Sequence, residues 1–325
     1  MGKKQTTACA FKTTCGGQAL IEGIMMRGPK KQAAVVRRPD GELEIREEEL
    51  KLLKDRHPIV GVPFIRGVFN FVSSITAGMR MLMWSASFFP EGEEAPKDEQ
   101  PSKLEQWLEK RLGSEKMAAA AVTFAAVVGI GFSILLFFFL PTLLGGAVSL
   151  VTDSMLARNL AESLLKIVIF ITYLWLVSHM KDIRRVFQYH GAEHKTIFCY
   201  EAGLPLTVEN VRTQPRHHPR CGTSFLFVVI IVSILVSTVV FSLWPVRQVL
   251  LRFLAHLLML PVIVGVSYEF NRWAGRHDNA LTRVLTAPGL WMQNFTTFEP
   301  DDSMIEVGIR ALELVIPEEM GSDTW

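Results

Sequence analysis

The run Tyr189-His190-Gly191-Ala192-Glu193-His194-Lys195 concentrates the residue types best suited to chemistry. His190 and His194 are four apart, so on a helix both imidazoles leave one face, and Glu193 beside them reaches a water held there. This H-x-x-E-H order is one in which two histidines bind zinc and the glutamate acts as base. Farther along, His217-His218-Pro219-Arg220-Cys221 offers two more imidazoles and a thiol. Thiolate combined with imidazole suits Zn, so one of His217, His218 or Cys221 is expected to complete the site, with Glu269 as a further carboxylate ligand. The competing explanation is a basic segment that binds lipid phosphates and carries ordinary surface histidines. Gly191 also weakens the helix on which the pair depends.

The elements that must position these residues are unusually apolar. Of 325 residues 49% are hydrophobic and 20% charged, with mean hydropathy +0.26 and net charge +2. That excess calls for a non-aqueous solvent. No charge occurs between Lys116 and Asp153, and 117–140 alone would span about 36 Å as a helix. Pro141 and Gly145-Gly146 are expected to end it or bend the chain. Three more spans are read at 160–180, 223–244 and 249–268. Glu162 and Lys166 lie four apart in the second, where they pair or snorkel, and Arg252 in the fourth calls for snorkelling or local thinning. His256 is read as a satisfied interior histidine.

Orientation follows from the basic residues. Lys181, Arg184, Arg185, Lys195, Arg212, Arg216 and Arg220 crowd the segment 181–222, so it is expected on the cytoplasmic side with both termini. Residues 1–63 read as a small α/β domain, with strands at 32–36 and 42–45 around the Arg38-Pro39-Asp40-Gly41 turn and a charged helix at 47–56. In the glycine-dense run from Gly16 to Pro29, Glu22 and Arg27 are either held against another segment or sit in plain strands and turns. Apolar residues at helical spacing in 64–89 predict a helix that lies on a membrane surface, packs on the bundle, or is buried in the soluble domain. Residues 90–116 form a linker, acidic and Pro-rich over 90–102, and a short helix; 269–325 is a cytosolic helical tail. No nucleotide-binding loop or Ser-centred elbow is present. The four cysteines make no disulfide framework, and no role is expected for Cys9 or Cys15.

GGQALIEGIMMRGP, HGAEHK with FCYEAG, PRHHPRCGTSFLF and YEFNRW together resemble the YqhQ family of bacterial membrane proteins, over residues 15 to 320. The resemblance implies a membrane location and a metal-dependent enzyme of unknown reaction. His190, Glu193, His194, His217, His218 and Cys221 would carry that chemistry. The expectation is therefore an α-helical polytopic protein of the bacterial cytoplasmic membrane, with about four transmembrane helices and a cytosolic-face Zn site serving a hydrolase. In this reading Glu193 is catalytic and His190, His194, His217, His218 and Cys221 supply the metal ligands. The alternative is a non-enzymatic scaffold that binds a protein partner and anionic lipid; transport is a weaker third. The lipid bilayer is an expected partner and nucleic acid is not.

Overall fold

The computed structural model describes residues 11–50, 58–89, 114–277, 279–318 and 322–324, without the side chains of 58 and 114–122. Cys9, the linker at 90–102, the short helix before 114 and the distal part of the expected 47–56 helix lie outside the described residues. Four strands, β1 (Gly16–Leu20), β2 (Gly23–Arg27), β3 (Lys31–Arg37) and β4 (Leu43–Glu49), precede α1 (Ile65–Ala86). Then come α2 (Ser114–Ile134), a π turn (Leu135–Phe139), α3 (Leu140–Ala147), α4 (Met155–Val177) and α5 (Lys181–Glu201). The order ends with α6 (Val208–Arg212), α7 (Gly222–Leu243), α8 (Val249–Arg276), α9 (Ala280–Thr296) and α10 (Asp302–Glu313). The chain divides into two compact units. One comprises Met1–Phe89, Thr172–Val236 and Leu260–Trp325; the other comprises Pro90–Ile171 and Ser237–Met259.

In the first unit the strands form an antiparallel meander in chain order. Alternation along β2 and β3 sends Ile24, Met26, Ala33 and Val35 into a core with Tyr189, Ala192 and Ile197 of α5 and Met304, Ile305 and Leu312 of α10. Met25, Ala34 and Val36 face the opposite way and join Leu20 and Met81 of α1. Both faces are thus covered, each buried Val, Ile, Leu or Met contributing about 1.5–3 kcal/mol. The strand-and-turn explanation of the glycine-rich run holds. Glu22, in the β1–β2 turn, also reaches another segment: its positive φ of 50° is held by an ion pair to Arg185 and a 3.2 Å bond from the Tyr189 hydroxyl.

One local expectation is corrected here. Residues 47–49 are strand, not the start of a helix, because Leu43–Glu49 pairs residue for residue with Arg37–Lys31. Hairpin register outweighs the helix propensity of three glutamates. Segment 181–222 contains the helices α5 and α6, and its basic residues mostly meet acids of this chain: Arg185 with Glu22, Lys195 with Glu299, Arg212 with Asp302 and Arg220 with Glu201. Helix α1 packs on the sheet through Gly78, Met81 and Ser85 while Phe69, Val72, Ile75, Met79 and Met83 stay exposed.

Among the described residues four helical stretches are long and apolar enough to cross a membrane: Thr123–Leu150, Met155–Val177, Gly222–Leu243 and Val249–Arg276. Pro141 does not end the first. It lacks the N–H that residue 137 would accept, and the π turn immediately before it absorbs the missing bond. Gly145 stays helical and lets α3 approach α4, since a Cβ there would come within 3.0 Å of the Glu162 Cβ. The fourth helix runs to Arg276, beyond the expected end at 268.

Within the second unit polarity is inverted relative to a water-soluble core. Phe124, Val127, Leu160, Leu164, Val239 and Leu258 are more than half exposed, whereas Glu162, Lys166, Arg252 and His256 are at most 7% exposed. Arg252 does not snorkel: its Nε donates to Glu162 Oε2 at 2.7 Å and its Nη2 to Asn159 Oδ1 at 2.5 Å. Lys166 pairs with Glu162 at 3.7 Å and donates to His256 Nε2 at 2.9 Å, while His256 Nδ1 bonds the Arg252 carbonyl. His256 is satisfied, as its interior position suggested.

Candidate metal centre

Helix α5 carries His190, Glu193 and His194 on adjoining positions of one face, and it forms despite Gly191. The glycine has a tertiary use: a Cβ there would collide with the Phe298 carbonyl oxygen, which approaches as Phe298 N–H donates to the Phe187 carbonyl at 2.9 Å. That close approach brings the C-terminal end of α9 over the site. His190 Nδ1 then donates to the Thr296 carbonyl at 2.7 Å, and His194 Nδ1 donates to the Arg216 carbonyl at 2.6 Å. Both rings are therefore locked with Nε2 free to face inward, the arrangement by which outer hydrogen bonds orient metal-binding histidines.

Cys221, just before α7, meets them. His190 Nε2 is 3.1 Å from Cys221 Sγ, and the donor atoms of His190, His194 and Cys221 all lie within 4.8 Å of one another. His194 and Cys221 are 1% and 5% exposed. Among the described residues His194 Nε2 is buried with no hydrogen-bond partner, as is Glu193 Oε2. Such orphaned acceptors are costly unless something binds them. Tetrahedral zinc separates its donors by about 3.5 Å, given bonds of about 2.0–2.3 Å. Two imidazoles and a thiol at these spacings fit a zinc ion with small side-chain movements.

Electrostatics support the same grouping. Burial opposes charge on His190, but the Cys221 thiolate outweighs it and pushes the imidazole up to about 9. Burial raises the Cys221 thiol, yet His190, followed by His194, carries it well below the ordinary thiol range. With no metal between them, the contact favours an imidazolium–thiolate pair. Burial raises the Glu193 carboxyl above its usual range against the pull of His190 and His194. The Gly17 N–H bonds this carboxylate, and a Cβ on Gly17 would stand 3.0 Å from Glu193 Cδ.

The other residues singled out by sequence take different places. His218 Nδ1 accepts from the Arg220 N–H at 3.3 Å, and its Nε2 faces Glu201 at 3.6 Å, so both nitrogens are engaged. Burial pushes it down to about 4, which leaves it neutral. His217 is outside the converging group. Glu269 forms a two-pronged ion pair with Arg66 and accepts from the Phe64 N–H at 3.2 Å. Glu201, which residue spacing alone does not single out, binds Arg220 and the Thr13 N–H, and so fixes the segment that leads into Cys221. The FCYEAG run containing it was the available signal. A cavity of about 390 Å³ opens beside the cluster, lined in part by Glu193, His194, Cys221, Gly16, Gly17 and Arg27.

Comparison with known proteins places this geometry in a family. The model of a family described as "Protein of unknown function (DUF1385)" matches residues 62–318. The chain belongs to the DUF1385 family. It is 35% identical over 301 residues to "Uncharacterized protein YqhQ" of Bacillus subtilis (strain 168), covering 91% of this chain and 90% of that one. This bears out the resemblance drawn from the four motifs. No solved structure matches.

Proposed function

We propose that this DUF1385 member is a multi-pass protein of the bacterial cytoplasmic membrane that holds zinc at His190, His194 and Cys221 and hydrolyses a substrate entering the adjoining cavity. The observation that carries the reading is the convergence of the three donors, with both outer imidazole nitrogens tied to carbonyls and His194 Nε2 without a partner among the described residues. The four apolar helices, with apolar side chains outward and charges inward in the second unit, support the bilayer as solvent. The basic residues of 181–222 support a cytosolic placement for the site and both termini.

Zinc, when bound, supplies Lewis acidity. The chain supplies the rest. Thr296 and Arg216 carbonyls hold the two imidazoles in one tautomer. Glu193, with its raised pKa and unpartnered Oε2, accepts a proton from the attacking water and returns it to the leaving group as the scissile bond breaks. The Gly17 N–H fixes the other side of that carboxylate. His218 and Glu201 act by positioning the Arg220–Cys221 segment.

The test is the metal content of the full-length protein in detergent, for wild type, His190→Ala with His194→Ala, and Glu193→Gln. About one zinc per chain in wild type and in Glu193→Gln, with loss in the double variant at unchanged helix content, is the expected result. Substoichiometric zinc in every form overturns the metal reading and leaves the scaffold role ahead.

A further inference from the structure

The cavity beside the cluster contains a charge imbalance of its own. Its lining includes two arginines, Arg27 and Arg220. Arg220 is spent: it binds Glu201 and donates to the Thr13 carbonyl at 2.5 Å. The guanidinium of Arg27 has no hydrogen bond or ion pair among the described residues, yet it is partly withdrawn from water, with burial working against its charge. A guanidinium always stays protonated, so a partly desolvated one without an acceptor is a standing cost that an incoming anion would relieve.

The surroundings are built to admit such a group. Arg27 is the last residue of β2, and its cross-strand neighbour is Gly16. A Cβ on Gly16 would meet nothing within 4 Å, so the strand position paired with Arg27 is open. The side chains of Ser74 and Asn271 line the same cavity and offer neutral donors. Glu193 supplies the only carboxylate among the lining residues, and it belongs to the chemistry proposed above.

We infer that Arg27 anchors an oxyanion of the substrate, a phosphate or a carboxylate, so that the bond to be cleaved lies toward Glu193 and the zinc cluster. This rests on reading the cavity as the reaction site, but the anchor itself needs no metal. The guanidinium fork matches paired oxygens of either anion, and the glycine-lined wall lets the anion reach it. Substrates lacking a negative group would forgo this contact.

The test uses full-length protein and two probes, inorganic phosphate and acetate. Phenylglyoxal modification of Arg27 is followed by peptide mass spectrometry with and without each probe. Binding of each is also titrated to wild type, Arg27→Gln, Arg27→Lys and the His190→Ala, His194→Ala variant. Protection of Arg27 by phosphate, by acetate or by both is expected, and which one protects identifies the anion. Affinity should fall about tenfold or more in Arg27→Gln and less in Arg27→Lys, with zinc content unchanged in both. Protection that persists in the histidine variant separates this anchor from the metal reading, which would stand or fall on zinc content alone. Arg27 modified equally with and without both probes, or Arg27→Gln binding them as wild type does, overturns the inference.

Discussion

His190 Nε2 and Cys221 Sγ stand 3.1 Å apart across 31 residues of sequence, and this contact sets the ionisation of both groups. Cys15 lines the same cavity, but there burial, with Asp323 and Glu201 adding to it, pushes the thiol up to about 11. After chelation, the two cysteines should therefore respond oppositely to pH. Alkylation of Cys221 by iodoacetamide is expected to vary little between about pH 6 and 8, whereas that of Cys15 rises about tenfold per pH unit. Site-resolved mass spectrometry reads both rates in one sample. A steep rise at Cys221 would show that the imidazolium–thiolate pair does not form.

Acid stability should report on His218. Its folded pKa of about 4 lies below the ordinary histidine value of 6.5, so the unfolded chain binds the extra proton first. The stability this provides is complete above pH 6.5 and is lost as pH falls toward 4. Thermal melts of the metal-free protein should drop through that window, and His218→Gln should flatten the drop. An unchanged slope in the variant would assign the acid sensitivity to other groups.

Gly191→Ala sets two effects against each other. Alanine gains about 1 kcal/mol of helix propensity. The added Cβ collides with the Phe298 backbone carbonyl, which cannot rotate away as a flexible side chain would. The collision should win, for a net loss of about 1–3 kcal/mol. Zinc affinity should fall as well, because Thr296 and its bond to His190 move with that segment. A variant more stable than wild type would contradict the packing described.

Arg252→Ala should be among the most damaging changes in the second unit. It leaves Glu162 without its closest cation and Asn159 without its donor, both at most 3% exposed. Breaking a buried pair from one side costs about 3–5 kcal/mol. Arg252→Lys should recover only part, since an ammonium cannot span both acceptors. Detergent melts of the two variants and of Arg252→Leu with Glu162→Leu give the comparison; a double variant as unstable as Arg252→Ala would argue against a simple unpaired-charge cost.

The four long apolar helices and the histidine pair were legible in the sequence because both are encoded locally. Twenty or so uncharged residues announce a helix apolar enough to cross a membrane wherever they occur, and a four-residue spacing puts two imidazoles on one face of any helix. The tertiary structure decided the partners. Among His217, His218, Cys221 and Glu269, only Cys221 joins the pair, because His218 is claimed by Glu201 and the Arg220 N–H while Glu269 is claimed by Arg66. Arg252 looked like a snorkelling cation until Glu162 and Asn159 were placed beside it, and residues 47–49 looked helical until β3 supplied a ladder. Helical periodicity and hydropathy depend on near neighbours along the chain. The choice between equivalent donors and charges depends on which carbonyl, carboxylate or strand arrives from far away in sequence.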